Sequence, residues 1–223
     1  MTLLDLLVPP RCAGCAAPGT WLCVSCRSGA DPVRRVAGGL AMAACGAYEG
    51  PLREAIHRAK YGAEPGLTTE LGVLLATLIA GDLASGTRLD AIVPVRLHPA
   101  RRRERGYDQA LLLATVAAEH TGLPLHPALH RIRAGTAQVR LDRQGRAANV
   151  RSAFAGVAGA FAGARIALVD DVATTGATLR DAAAAARACG ARAVRAYVIA
   201  LDEMTARGET TDEPVDRARW PVG

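Results

Sequence analysis

The sequence predicts an α/β domain with a mostly parallel sheet flanked by helices, preceded by a small cysteine-rich module. Short runs rich in β-branched residues alternate with helical segments through most of the chain, and four of its six cysteines lie within fifteen residues near the start. A chain of 223 residues is long enough for one such domain and a small appendage. We therefore expect a module over residues 1–35, the α/β domain over 36–201 and a polar tail over 202–223.

Composition and charge narrow the class of protein. Half of the residues are apolar and 4% are aromatic, which is typical of a folded globule rather than a disordered chain. The start lacks the features of a secretory signal and no apolar run reaches the roughly 18 residues of a membrane helix, so we expect a cytoplasmic protein without membrane insertion. Residues 96–151 carry 11 Arg against four acids, which predicts an anionic partner for this segment.

The N-terminal cysteines form two C-x-x-C pairs separated by seven residues. Each pair can occupy one side of a zinc tetrahedron, and Gly14 eases the tight turn inside the first pair. Two disulfides or redox pairs are the alternative, which a reducing cytosol disfavours. Because four sulfurs leave no open position for a substrate, we predict a structural zinc ion. Its predicted ligands are Cys12, Cys15, Cys23 and Cys26.

The first elements of the domain follow the module. Residues 39–48 are predicted to form a strand, and residues 51–61 a helix with Pro51 in its first turn. A longer apolar helix is predicted over 67–83. The β-branched content of 89–95 then predicts a buried strand.

The second half of the domain begins with an arginine-rich loop, after which a helix is predicted from about Asp108 to His120. A basic, less regular stretch follows over 121–151. In a parallel sheet, ligands bind where strands end and helices begin. The last predicted elements are a strand over 165–170, a helix over 177–190 closed by Gly190, and a strand over 191–201.

The junction between the strand at 165–170 and the following helix combines acids with small residues. The strand ends in Asp170 and Asp171, and the turn ATTG leads to a helix start near Gly176. A helix start offers unpaired N–H groups and a positive dipole end, and the turn adds threonine hydroxyls, so a phosphate could bind here. Acids that lie one step from the phosphate can accept hydrogen bonds from sugar hydroxyls or face a magnesium ion. An ordinary threonine-capped turn is the alternative.

Several segments of the chain resemble known proteins. ALVDDVATTGATL closely resembles the phosphoribosyl pyrophosphate signature of type I phosphoribosyltransferases. From about residue 10 to 201 the chain resembles the ComF (competence protein F) family, through its cysteine-rich start and the segments LREAIHRAKY, IVPVRLHPARRRERGYDQA and TAQVRLDRQGRAANVRSAF. Arg96 stands where the family usually has Pro, and Asp108 where it usually has Asn. The second cysteine cluster of some members is missing, which points to a single zinc.

The resemblance implies a type I phosphoribosyltransferase-like fold and a site for phosphoribosyl pyrophosphate. Asp170 and Asp171 would be the catalytic residues and bind the ribose hydroxyls. Lys60, Arg102 and Arg105 would bind the pyrophosphate together with magnesium, although a solvated surface is the alternative for these cations. The implied 5′-phosphate loop comprises Ala173, Thr174, Thr175, Gly176, Ala177 and Thr178. The implied flexible loop over the substrate includes Thr136, Gln138, Arg143 and Arg146.

Two functions are compatible with these features. In the first, a nitrogenous acceptor, which the sequence does not identify, attacks the ribose as pyrophosphate leaves. In the second, the chain is an accessory protein of DNA uptake that binds single-stranded DNA and uses the phosphoribose pocket for binding or regulation. The basic middle segment favours the second function, and the scarcity of aromatic residues weighs against it. The sequence assigns no role to His98 or Gln109.

Overall fold

The computed structural model describes residues 9–62, 64–132 and 153–202, without the side chains of Glu104 and Arg105. Within these ranges five strands form one sheet, in which β1 is antiparallel to β2 and the other neighbours are parallel. The predicted mostly parallel sheet is therefore confirmed. The strands are β1 (Val33–Ala37), β2 (Leu40–Ala47), β3 (Ala91–Pro94), β6 (Arg165–Ala173) and β7 (Ala193–Leu201), in the spatial order β1-β2-β7-β6-β3.

Helices cover both faces of this sheet. On one face the buried side chains of Ile56, Leu71 and Leu113 join the core, and on the other Leu179 does so. A separate antiparallel pair, β4 (His130–Arg131) and β5 (Phe154–Ala155), packs on the second face through Phe154. The helices are α1 (Val24–Ser28), α2 (Gly50–Tyr61), α3 (Pro65–Ala84), α4 (Pro99–Arg105), α5 (Gln109–Thr121) and α6 (Ala177–Ala188).

Three differences from the predicted elements bear on the domain boundary or on the site. Strand β1 was not predicted, and the predicted boundary at residue 35 lies inside it, so the division into domains stays a prediction. The arginine-rich segment is not a loop but helix α4, which begins with Pro99 after the His98 side chain accepts the N–H of Ala100 at 3.3 Å, and which ends at Gly106 with φ 79°. Strand β6 continues to Ala173 instead of ending at the acids.

Helix α3 is the central apolar helix of the core. In the described part of the chain it is the one helix long and apolar enough to cross a membrane, with a mean hydropathy of 1.5. Its Leu67, Leu71, Leu75 and Ile79 are fully buried against the sheet and the neighbouring helices. Its apolar length is therefore used in packing inside the protein.

The parallel strands bring the carboxyl ends of β3 and β6 together. Pro94 pairs with Val169, and Val95 donates its N–H to the carbonyl of Val169 at 2.8 Å. Because helix α4 follows β3 closely, its Arg101 lines the same cavity as Asp170, which lies in the carboxyl-terminal half of β6. The topology thus positions the arginine-rich segment next to the two acids.

Candidate functional site

A cavity of about 150 Å³ opens at this edge of the sheet. The two acids and Thr178 line it from the β6–α6 side, and Gln109 lines it from the start of α5. Three cations complete the polar lining: Lys60, Arg101 and Arg131. Groups that can bind anions and hydroxyls therefore converge on one small volume.

The two acids have different partners. The Asp171 carboxylate forms an ion pair with the ammonium group of Lys60 at 3.0 Å, and both side chains are largely buried. Asp170 accepts the N–H of Asp171 at 2.8 Å. Burial, and then the neighbouring charge of Asp171, raise the pKa of Asp170 to about 8. Asp171 is therefore paired with a lysine, while Asp170 holds its proton near neutral pH.

Lys60 is positioned by its own helix and by a contact from the connection between α4 and α5. It lies in the last turn of α2, one residue before Tyr61. The Tyr107 hydroxyl donates a short hydrogen bond to the carbonyl of Ala59, the residue before Lys60. This contact ties the α4–α5 connection to the turn that carries the lysine. The only lysine of the chain is therefore brought into the site.

The predicted phosphate loop contains three residues between β6 and α6, because the strand extends to Ala173. Gly176 is the N-cap of α6 with φ 71° and ψ 7°, a left-handed conformation that favours glycine. A Cβ there would also lie 3.1 Å from the sulfur of Met42. Since the N-cap is a glycine, it supplies no side-chain cap of its own, and apart from the Ala177 N–H, which the Thr175 hydroxyl accepts, the positive end of the helix is available to an anion.

Two arginines outside the predicted set orient this loop. Arg35 of β1 donates to the carbonyl of Thr174 at 3.4 Å, and Arg180 of α6 donates to the carbonyl of Thr175 at 2.7 Å. The C=O and N–H of a trans peptide point in opposite directions. The N–H groups of Thr175 and Gly176 therefore point away from these arginines, as an anion cradle requires.

The remaining loop residues differ in exposure and contacts. Ala173 is buried under the loop, and Thr174 and Ala177 are exposed. The Thr175 hydroxyl accepts the N–H of Ala177 at 3.3 Å, so it supports the turn itself. Of the three threonines, Thr178 is the one that lines the cavity.

The arginines that reach the cavity are not those favoured from the sequence. Arg101 lines it from the first turn of α4, whereas Arg102 is exposed and does not line it. The side chain of Arg105 lies outside the part of the chain that the structure describes. Arg131, which sequence reasoning missed, lines the cavity from β4 with its guanidinium 5.4 Å from the centre of the Phe154 ring. In the sequence Arg131 is one of several arginines in the basic stretch, and no motif distinguishes it from the others.

Four further predicted residues fall on the segment 133–152, which lies outside the described residues. Their assignment to a loop over the substrate stays a prediction. They are Thr136, Gln138, Arg143 and Arg146.

The two departures from the family pattern contact each other. Arg96 donates to the Asp108 carboxylate at 3.1 Å, and the Asp108 side chain is 3% exposed. The same carboxylate group accepts the N–H of Leu111 at 3.3 Å and so caps helix α5. The arginine therefore supplies the counter-charge for a buried N-cap acid.

The four N-terminal cysteines form one cluster. Their sulfur atoms all lie within 4.8 Å of one another, and those of Cys15 and Cys23 are 3.6 Å apart. Tetrahedral zinc with bonds of about 2.3 Å needs sulfurs about 3.8 Å apart, so the cluster fits a structural zinc ion. Burial raises the pKa of Cys12, but N–H donors led by that of Cys23 (3.3 Å) outweigh it and lower the pKa to about 6, which favours a thiolate ligand.

The cysteine module is fastened to helix α3. The carboxylate of Glu70 accepts the N–H groups of Trp21 and Leu22, the second at 2.8 Å, and the hydroxyl of Thr20. A Cβ at Gly66 would lie 2.4 Å from the Trp21 ring, so the indole packs directly on the helix backbone. The module thus shares the hydrophobic core with the α/β domain through Leu22 and its neighbours.

Comparison with known proteins gives two similar sequences. No family model matches the chain. Competence protein F of Haemophilus influenzae is 34% identical over 114 residues, which is 50% of each chain. DNA utilization protein YhgH of Salmonella typhimurium is 28% identical over 193 residues, covering 85% of this chain and 82% of that protein. Homologues of this chain therefore include a competence protein F and a DNA utilization protein.

Solved structures similar to this chain belong to longer proteins. UMP synthase of Leishmania donovani is 19% identical, with a TM-score of 0.38 over 70% of this chain and 26% of that one. Glutamine phosphoribosylpyrophosphate amidotransferase of B. subtilis is 22% identical, with a TM-score of 0.45 over 64% of this chain and 30% of that one. The chain also spans only half the length of the Haemophilus relative.

Proposed function

We propose that this chain is a cytoplasmic phosphoribosyltransferase that binds phosphoribosyl pyrophosphate with magnesium and transfers the phosphoribosyl group to a nitrogenous acceptor. The observation that carries the proposal is the convergence of Asp170, Asp171, Thr178 and three cations on one cavity beside an open helix start. Acids suit the ribose hydroxyls, and the helix start and the cations suit phosphate groups.

Each part of the substrate has a matching group. The 5′-phosphate is bound by the N–H groups of the loop and by the Thr178 hydroxyl. The ribose hydroxyls donate to the two acids. The pyrophosphate lies against Lys60, Arg101 and Arg131, with Arg105 as a further candidate. Arg102, which was also expected to bind it, is exposed and does not line the cavity.

The donor set also fits magnesium. Carboxylate oxygens are ligands that Mg²⁺ accepts together with substrate phosphates, and Asp170 and Asp171 both line the cavity. When bound, the ion neutralises charge on the departing pyrophosphate.

Catalysis rests on positioning and charge. The acceptor nitrogen forms a bond to C1 of the ribose, the bond from C1 to the pyrophosphate oxygen breaks, and the electron pair leaves with pyrophosphate. Lys60 and the arginines stabilise that developing charge, and the loop and the acids hold the ribose in place. No covalent intermediate with the protein is needed.

Calorimetry with phosphoribosyl pyrophosphate and magnesium tests the site. The double variant Asp170→Asn, Asp171→Asn should lose binding, because amides replace both of the carboxyl groups that face the ribose hydroxyls. Asp90→Asn is the matched control, since Asp90 pairs with Arg165 at the opposite end of β6. Unchanged affinity in the double variant would remove the pocket assignment. A screen of bases for pyrophosphate release then identifies the acceptor.

A second candidate function is binding of single-stranded DNA during DNA uptake. The names of the two relatives, a competence protein and a DNA utilization protein, support it, as do the exposed Arg102 and Arg103 on α4. Arg102→Ala with Arg103→Ala should then weaken binding to single strands and reduce the dependence of affinity on salt. A salt dependence equal to that of the wild type would exclude these arginines as the DNA contact.

A further inference from the structure

Gln109 is a buried polar residue to which the proposed function gives no role. It is the first residue of helix α5, follows the N-cap Asp108 and is 2% exposed. The ion pair of Asp108 with Arg96 at 3.1 Å fixes the helix start. The Gln109 side chain is therefore held at the wall of the cavity that contains Asp170 and Asp171.

The amide of Gln109 has unused hydrogen-bonding capacity. Neither its oxygen nor its nitrogen has a hydrogen-bond partner among the described residues, and the Nε of Arg131 in the same cavity lacks one as well. Burial of an amide without partners costs free energy in the empty protein. Such a cost is tolerated where a ligand completes the hydrogen bonds.

The chemistry of the cavity selects the kind of group that can do so. A primary amide donates through Nε2 and accepts through Oε1. An ionised phosphate or pyrophosphate accepts only, so it satisfies the nitrogen and leaves the oxygen unpaired. The cations Lys60, Arg101 and Arg131 meet such anions already. A sugar hydroxyl both donates and accepts, and therefore matches an amide beside two acids.

We propose that Gln109 determines specificity by hydrogen bonding a sugar hydroxyl of the ligand next to Asp170 and Asp171. The inference rests on the proposed function, because it assumes that a sugar phosphate occupies this cavity. Gln109 discriminates a hydroxylated sugar phosphate from a bare pyrophosphate, and it contributes nothing to binding of the phosphate groups.

Gln109→Met tests the inference with two ligands, ribose 5-phosphate and inorganic pyrophosphate, in calorimetry on the full chain. The variant keeps the size of the side chain and removes its polar atoms. Affinity for ribose 5-phosphate should fall about tenfold, and affinity for pyrophosphate should change by less than about twofold. The unfolding temperature of the ligand-free protein should rise by about 2–4 °C, because the unpaired amide is gone.

Gln109→Leu is a second variant with the same expected pattern. Thr115→Val on the same helix is the control. The Thr115 hydroxyl donates to the carbonyl of Leu111, so its removal should leave both affinities unchanged. Equal losses for the two ligands, or a lower unfolding temperature, would show a structural amide and overturn the inference. Unchanged binding of ribose 5-phosphate overturns the inference alone, whereas a wild-type protein that binds no sugar phosphate overturns the proposed function as well.

Discussion

Asp170 and Asp171 are adjacent in the chain, yet their charges are controlled by different surroundings. Asp171 lies 3.0 Å from the ammonium group of Lys60, while burial raises the pKa of Asp170 to about 8. The pair of acids was predictable, because they follow a short β-branched run. Their difference was not, because it depends on a lysine from a helix far earlier in the chain and on burial that only the folded sheet creates.

The raised pKa of Asp170 makes the stability of the ligand-free protein depend on pH. An unfolded aspartate has a pKa of about 3.9, so the folded state holds the proton more tightly. This contribution is complete below about pH 4 and is lost as pH rises through about 8, with a slope of at most about 1.4 kcal/mol per pH unit. Asp170→Asn should flatten this dependence and be more stable than the wild type at pH 8 in thermal unfolding.

Asp90→Asn provides the contrast at the same scale. Hydrogen bonds from Arg165 lower the pKa of Asp90 to about 2, so its contribution is present above the unfolded pKa of about 4 and is lost only in acid. The variant should therefore lower the unfolding temperature by a constant amount between pH 6 and 9.

The Asp170 prediction has its own contrary outcome. If Asp170→Asn kept the pH dependence of stability that the wild type shows, the proton would not belong to Asp170.

Among the elements, the junction of β6 and α6 was predicted well and helix α4 was not. The small residues at Thr174–Gly176 indicated a turn and a helix start, and both exist, although the strand runs to Ala173. The segment Pro99–Arg105 was interpreted as a loop because its charges have no apolar periodicity. Arginine is nonetheless a good helix former, and the caps at His98 and Gly106 complete the helix.

Gly176→Ala tests the conformation of the β6–α6 junction. A Cβ at φ 71° is strained and would crowd Met42, so the free energy of unfolding should fall by about 1–2 kcal/mol. Binding of phosphoribosyl pyrophosphate should weaken as well. Gly81→Ala on α3 is the control: nothing lies within 4 Å of its added Cβ, and it should stabilise by about 0.5–1 kcal/mol. Equal stability of both variants in urea unfolding would contradict the strain.

The Arg96–Asp108 pair tests how the segment before α4 and the start of α5 support each other. Arg96→Ala leaves a buried carboxylate without its cation and should cost about 1.5–3 kcal/mol. In the background of Asp108→Asn the same change should cost about 1 kcal/mol less, because the amide needs no counter-charge. A double-mutant cycle in urea measures this coupling, and additive effects would show that the two residues are independent.

For the whole molecule, the cysteine cluster and the α/β domain should unfold together, because Leu22 and Trp21 pack on the same core as helix α3. Cys12→Ser with Cys15→Ser should abolish bound zinc and lower the unfolding temperature by about 10 °C or more. Cys45→Ala is the control, since Cys45 is buried outside the cluster and should leave one zinc per chain. Purified wild-type protein without zinc but with disulfides would contradict the metal site.

Parallel strands, helices on both faces and a four-sulfur cluster were all predictable, because each depends on local spacing and periodicity. The spatial order of the strands was not, and neither was strand β1, whose Arg35 contacts the phosphate loop. Both arise from pairing between segments distant in the chain. Arg101 and Arg131 could not be predicted as cavity residues for the same reason, because only the tertiary structure shows which of the many arginines line the cavity.

The strand at the centre of the sheet is the last strand among the described residues. β7 lies between β2 and β6 and hydrogen bonds to both. The strands β2 and β6 therefore do not pair with each other. During synthesis on the ribosome, the two halves of the sheet must wait for residues 193–201 to emerge before they can join. A nascent chain stopped before Ala193 therefore presents two open strand edges to chaperones and to other nascent chains.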